Sequence, residues 1–384
     1  MSRPGRIDGV LLGAVGLLCL LGLVMVYSSS AILALRDRHS EMAYLADQAS
    51  KLLVGGLVLS VLANVSYRRW NSWVAVAALG SFFAIMSLQI LGIGVVQDDS
   101  GTNRGFGIGG IRIQPVEFAR LALVLFLAYY VSNRSHWREG RWRGLLEPLA
   151  AIFGLALLAK LLPNLSSAVL IAALGISLLW VAGQPIRRLL ITLAPCVVLL
   201  GFSLRGYQLD RITDFFAHKG GEAKLGYQVE QSLIALGSGG LWGQGLGQGL
   251  QKFFYLPLPH SDFILGIVGE ELGFLGVAIL FTLYLVVIAR GLRISRLAPD
   301  VFGQTLALGL TVSLGLNFLL HSVVVLGLGP VTGVPLPFLS HGGSSLLANL
   351  AAMGLLLSIS RAAQPEPGVR ADEAWRWMGS PTRA

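Results

Sequence analysis

The chain is built from long, nearly uncharged apolar runs, and about 20 such residues make a helix that crosses a hydrocarbon core of about 30 Å. Ten runs can be read, over approximately residues 8–28, 48–66, 73–94, 116–132, 145–162, 166–183, 189–204, 263–289, 304–326 and 344–360. Only 13% of the residues are charged, against about 25% in a soluble domain. A soluble core stops growing at about 250–300 residues, so it could not use the apolar surface of a chain of 384 residues that is 54% hydrophobic. This composition excludes a soluble enzyme, a disordered chain and a coiled coil. It predicts an all-α polytopic membrane protein, with a single ten-span domain over 1–361 and a C-terminal tail over 362–384. Pro163 and Asn164 separate the fifth and sixth runs and read as a tight hairpin turn.

Basic residues give the orientation. If the N-terminus is cytoplasmic, the short inner connections and inner ends hold Arg3, Arg6, Arg68, Arg69, Arg134, Arg138, Arg141, Arg143, Arg187, Arg188, Arg290, Arg293, Arg296, Arg361, Arg370, Arg376 and Arg383, which is 17 of the 29 Lys and Arg residues. Short connections are where the positive-inside rule is strongest. Both termini are therefore expected in the cytoplasm, and the first run is expected to be an uncleaved anchor, being long for a signal peptide. The outer side then carries almost all the loop length, at about 95–115, 205–262 and 327–343, which places the work of the protein there.

Ionisable groups at membrane depth are costly and are functional candidates by default. Glu117 opens the fourth run, and Arg120 follows it at i+3 on the same helical face. The pair reads either as a functional site or as an interfacial ion pair that anchors a helix end. Asp262 lies where the largest loop meets the eighth run. It could be a reactive carboxylate, or Ser261 or Asp262 could serve as a helix N-cap. His260 beside it could tune a carboxylate or bind water. Glu270, about 12 Å further along a helix, is too far from Asp262 to share one proton and reads as structural. Gly266, Gly269, Gly273 and Gly276 form a stripe that lets another helix approach closely. The segment GSGGLWGQGLGQG (237–249) lacks the ending of a phosphate loop and is expected to be a flexible loop near the membrane surface. Cys19 and Cys196 lie in apolar runs, His, Cys and carboxylates show no metal-ligand spacing, and modules for nucleic acid are absent.

Four segments carry a resemblance: YQVEQSLIALGSGGLWGQGLGQGLQKFFYLPLPHSDFILGIVGEELGFLG (227–276), GPVTGVPLPFLSHGGSSLLANL (329–350), IQPVEFARL (113–121) and PNLSSAVL (163–170). Together they resemble the family of FtsW, RodA and SpoVE, and GQGLGQGLQKFFYLP is nearer the FtsW and SpoVE branch. The resemblance implies a peptidoglycan glycosyltransferase in the bacterial cytoplasmic membrane. Such an enzyme polymerises lipid II at the outer face during cell division, beside a class B penicillin-binding protein and other division proteins. The family's proposed catalytic aspartate matches Asp262, and its QPSE glutamate matches Glu117. The resemblance also implies substrate contacts for Arg120, Lys252, His260, Ser340, Ser344 and Asn164. It fixes no cofactor, although a divalent cation such as Mg2+ or Mn2+, or Arg120 or Lys252, could steady the pyrophosphate charge.

Several positions depart from the family pattern. The glutamate of LPExHTDF is Leu258, the aspartate of the QPDLG/S turn is Asn164, the serine of QPSE is Val116 and the tyrosine of SYGGSS is His341. An ARRW run is absent, with TNRGF nearby, and His321 stands where an asparagine is common. These changes leave a catalytically weak scaffold as an alternative. A lipid II flippase is another, disfavoured by the few charges at mid-span. An ion-coupled transporter would need midplane acids or broken helices in matching halves, and the sequence shows neither.

Overall fold

The computed structural model describes residues 6–96, 105–108, 111–133, 143–192, 213, 215 and 226–363. Helices lie over nine of the ten apolar runs: α1 (Gly9–Arg38), α2 (Ala43–Asn64), α3 (Trp73–Ile90), α4 (Pro115–Asn133), α5 (Arg143–Leu161), α6 (Leu165–Val181), α8 (Ile264–Leu297), α9 (Val301–Val325) and α10 (Gly343–Ala362), with α7 (Tyr227–Ser238) outside the runs. Eight of them are long and apolar enough to cross a membrane, and α6 is apolar but shorter. The seventh run, 189–204, is helical up to 192, and the rest of it lies outside the described residues. The 95–115 loop contains a small antiparallel sheet that composition did not suggest. Its strands are β1 (Val95–Val96), β2 (Gly105–Ile108) and β3 (Ile111–Ile113), with Phe106 opposite both Val95 and Ile113.

Local chemistry sets the helix ends. Asp8, Ser72, Asn164 and Asp300 each accept a hydrogen bond from a backbone N–H of the first turn of α1, α3, α6 and α9, which satisfies donors the helix cannot. The Pro163–Asn164 turn is as the sequence suggested, with Asn164 Oδ1 accepting from Ser167 N–H at 3.1 Å. Helix α1 runs about ten residues past its expected end, through YSSSAILALRDR. Ser29 and Ser30 do not break it, because each hydroxyl donates to its own helix, at Met25 O and Val26 O, both 2.6 Å.

The bundle has two distinct ends. At one, Arg290 Nη2 lies 2.7 Å from the Asp8 carboxylate. There Tyr67 also donates from its hydroxyl to Asp300 (2.6 Å) and from its backbone N–H to Ser358 Oγ (3.1 Å). These contacts bring the starts of α1 and α9 together with the ends of α2, α8 and α10. Helices α4, α9 and α10 lie largely inside the protein, whereas α2 and α3 present most of their apolar side chains outward, with Leu53, Leu57 and Trp73 among the most exposed.

Helix α8 is broken. Gly273 sits at φ 66°, ψ −168°, backbone that only glycine adopts readily. The hydrogen bonds lost there are made by the glycine-rich segment. Gln244 and Gly245 N–H donate to the carbonyls of Glu270 and Glu271 (both 3.0 Å), and Phe274 and Leu275 N–H donate to those of Gly240 and Leu241 (2.9 and 3.2 Å). The expected flexible loop at 237–249 is therefore a fixed plug against the break. Gly243, at φ 81°, has no room for a Cβ because the Glu271 carbonyl occupies that space. The glycine stripe of α8 admits α7 and this plug, with Ser232 and Leu236 lying over Gly266 and Gly269.

The 327–343 segment is also not an outer loop throughout. Phe338 O and Leu339 pack against Gly22, and residues 334, 336, 338 and 339 are buried. Gly22 is 14 residues along α1 from Asp8, about 21 Å of rise, well inside a 30 Å core. Irregular backbone at that depth must be satisfied by protein. Tyr284 OH donates to Pro337 O, His321 Nδ1 meets Val334 O at 2.8 Å, and Leu336 N–H donates to Ser340 Oγ at 2.8 Å.

Candidate active site

Asp262 ends the coil that leads into α8. The coil turns at Leu258, whose carbonyl accepts from Ser261 and Asp262 N–H (3.1 and 3.2 Å). The re-entrant segment holds it from the side. Ser340 Oγ donates to Ser261 O (2.6 Å), and His341 N–H donates to His260 O (2.8 Å). The Asp262 carboxylate accepts from Ser261 Oγ at 2.9 Å. The N-cap of α8 is Phe263, which makes no side-chain cap bond. Phe263 thus takes the N-cap position expected for Ser261 or Asp262, and the Asp262 side chain is half-buried.

The second cluster lies between α4, α9 and α10. Glu117 and Arg120 form a buried ion pair, and Arg120 Nη1 donates to Asn317 Oδ1 at 2.5 Å. With Ser313 and Asn349 they line a small cavity, and Arg120 Nε is buried with no partner among the described residues. The pair is thus enclosed in the bundle and does not merely anchor a helix end at the interface.

Residues 340–344 join the two clusters. Ser340 and His341 hold the Asp262 coil, while Ser344 Oγ accepts from Gln114 N–H (2.9 Å), immediately before the start of α4. The remaining candidates have other duties. Lys252 Nζ is 2.8 Å from Glu271 and 3.4 Å from Ser28 Oγ, in a buried ion pair at the α8 break. The Glu270 carboxylate accepts from Leu250 N–H (2.7 Å) and Gln251 N–H (3.2 Å), which fits its structural reading. Asn164 Oδ1 caps α6. Among the described residues no group of three or more His, Cys, Asp or Glu could hold a metal ion.

Sequence reasoning missed the contribution of α2. Tyr44 packs its ring 4.8 Å from that of His260 and 5.1 Å from that of His341. Gln48 Nε2 donates to Ser340 O (3.3 Å), and Asp47 Oδ2 lies 2.9 Å from His341 Nε2. The one local signal was the i, i+4 spacing of Asp47 and Lys51, which form an ion pair.

Comparison with known proteins matches residues 9–365 to the FtsW/RodA/SpoVE family model, described as "Cell cycle protein". A Geobacter sp. (strain M18) protein named "Probable peptidoglycan glycosyltransferase FtsW" is 36% identical over 363 residues, 92% of this chain and 98% of that protein. "Stage V sporulation protein E" of Bacillus subtilis is 37% identical over 347 residues, 90% of this chain and 94% of that protein. Among solved structures, a chain from a study of the coordination of polymerization and crosslinking by a peptidoglycan synthase complex superposes with a TM-score of 0.75 at 26% identity, covering 94% of this chain and 99% of that one. The rod shape determining protein RodA of Thermus thermophilus gives 0.68 at 25%, with the same coverage.

Proposed function

The chain belongs to the FtsW, RodA and SpoVE family of cell cycle proteins, and we propose that it is a peptidoglycan glycosyltransferase that polymerises lipid II for cell division. The Asp262 carboxylate takes the proton from the 4-hydroxyl of the acceptor's GlcNAc. That oxygen attacks C1 of the donor's MurNAc, the bond from C1 to the phosphate oxygen breaks, and undecaprenyl pyrophosphate leaves. The leaving group is a good one, so one positioned base suffices. The observation that carries the reading is the setting of Asp262: half-buried, at the end of a coil that Ser340 Oγ and the His341 N–H hold at Ser261 O and His260 O.

Glu117 and Arg120 lie within two turns of Gln114, which Ser344 holds at the start of α4, and they line a small cavity as a buried ion pair. Lys252 is committed to Glu271, and Arg120 is paired with Glu117 and Asn317 but keeps Nε without a partner among the described residues and lines the small cavity, so Arg120 is the better partner for the pyrophosphate. The Arg-rich end that contains the Asp8–Arg290 pair is cytoplasmic, and the Asp262 end faces outward, where a class B penicillin-binding protein would crosslink the product.

Purified protein with labelled lipid II in vesicles tests the reading. Glycan polymer is the expected product. Leaflet exchange without polymer would make the protein a flippase, and neither would make it a scaffold.

A further inference from the structure

We infer that Asp47 on α2 is a positioning residue for the Asp262 site, acting through His341. The inference rests on the glycosyltransferase reading for its kinetic consequence but on geometry alone for its structural one. An ionised carboxylate can only accept, so His341 Nε2 carries the proton and donates it to Asp47 Oδ2 at 2.9 Å. That bond fixes the His341 ring, whose centroid is 5.6 Å from that of His260, with Tyr44 packed on both. The His341 backbone N–H holds His260 O. One residue back, Ser340 donates to Ser261 O while Gln48 Nε2 donates to Ser340 O. Two adjacent side chains of α2, Asp47 and Gln48, therefore set where residues 260–262 sit, acting through His341 and Ser340.

The arrangement is specific to the bond and not to the charge of Asp47. Asp47 also pairs with Lys51 four residues along α2, where the side chains are 30% and 31% exposed and an ion pair contributes little. The His341 side chain is only 10% exposed, so its bond to Asp47 is the better shielded of the two. A shift of about 1 Å in a reacting group can cost on the order of 100-fold in rate. Loss of the Asp47–His341 bond should therefore lower kcat far more than it raises KM for lipid II.

Asp47→Ala, Asp47→Asn and Lys51→Met are compared with the wild type by hydrogen–deuterium exchange over peptides spanning 256–263 and by lipid II polymerisation. Asp47→Ala should speed exchange locally by on the order of tenfold, with the inner ends of α2 and α10 unchanged, and lower kcat by roughly 10- to 100-fold with KM within about twofold. Asp47→Asn keeps an acceptor for His341 and should recover most of both, and Lys51→Met should behave as wild type. Unchanged exchange in Asp47→Ala, or the same loss in Lys51→Met, overturns the inference. If the wild type makes no glycan, the enzymatic reading fails, and the exchange result still decides whether Asp47 positions residues 260–262.

Discussion

Lys252 and Glu271 form an ion pair 2.8 Å long whose side chains are 4% and 0% accessible, at the point where α8 breaks. Removing one partner leaves the other charge buried and uncompensated, which costs about 3–5 kcal/mol. Lys252→Met should therefore lower the thermal midpoint in detergent sharply. The double variant Lys252→Met/Glu271→Gln should recover part of that loss, because Gln can still accept from Ser28.

Gly273→Ala tests the break itself. Backbone in this region costs a side-chain-bearing residue about 1–3 kcal/mol, and the new Cβ would also meet the backbone of Leu241–Gly243. Gly315→Ala is the contrast, since its Cβ would find only Ile288 at an ordinary 3.6 Å and helix propensity favours Ala by about 1 kcal/mol. Size-exclusion profiles and thermal midpoints should show Gly273→Ala aggregating or destabilised and Gly315→Ala at or above wild type.

Asp262→Asn should abolish polymerisation while the protein still inserts and unfolds at a wild-type temperature. Asn keeps the size and can accept from Ser261 Oγ, but it cannot take a proton, and a general base contributes typically 10²- to 10⁴-fold. Full activity in lipid II assays of the Asn variant would remove Asp262 from the base role.

Topology is open to labelling. A Cys at Glu41, in the exposed connection between α1 and α2, should react with an impermeant maleimide in spheroplasts. A Cys at Arg69, at the end that gathers Arg68, Arg290 and Arg361, should react only after permeabilisation. The reverse pattern would invert the orientation.

Local pattern carried much of this into view. Apolar length foretold the helices, Pro163 and Asn164 the hairpin turn, and i, i+3 spacing the Glu117–Arg120 pair. What stayed hidden depends on partners far away in the sequence. The stretch EELGFLG around Gly273 reads as continuous helix, because the groups that replace its lost bonds lie some 30 residues upstream, in Gly240–Gly245. The 334–339 backbone looks like a surface loop until Tyr284 and His321 are seen to satisfy it. Asp47 looks like a solvated charge before the second span, and its partner His341 is 294 residues away.

In mechanical terms the break divides α8 into a bracket and a post. The hydrogen-bond ladder of 274–297 does not continue into 264–272, whose last carbonyls are held by Gln244 and Gly245. A pull at Asp262 therefore enters the 239–252 plug and passes through Lys252 and Glu271 to Ser28 on α1. The same plug accepts from Phe274 and Leu275 N–H at Gly240 and Leu241 O, so a load on the 264–272 bracket divides between the first helix and the post of 274–297.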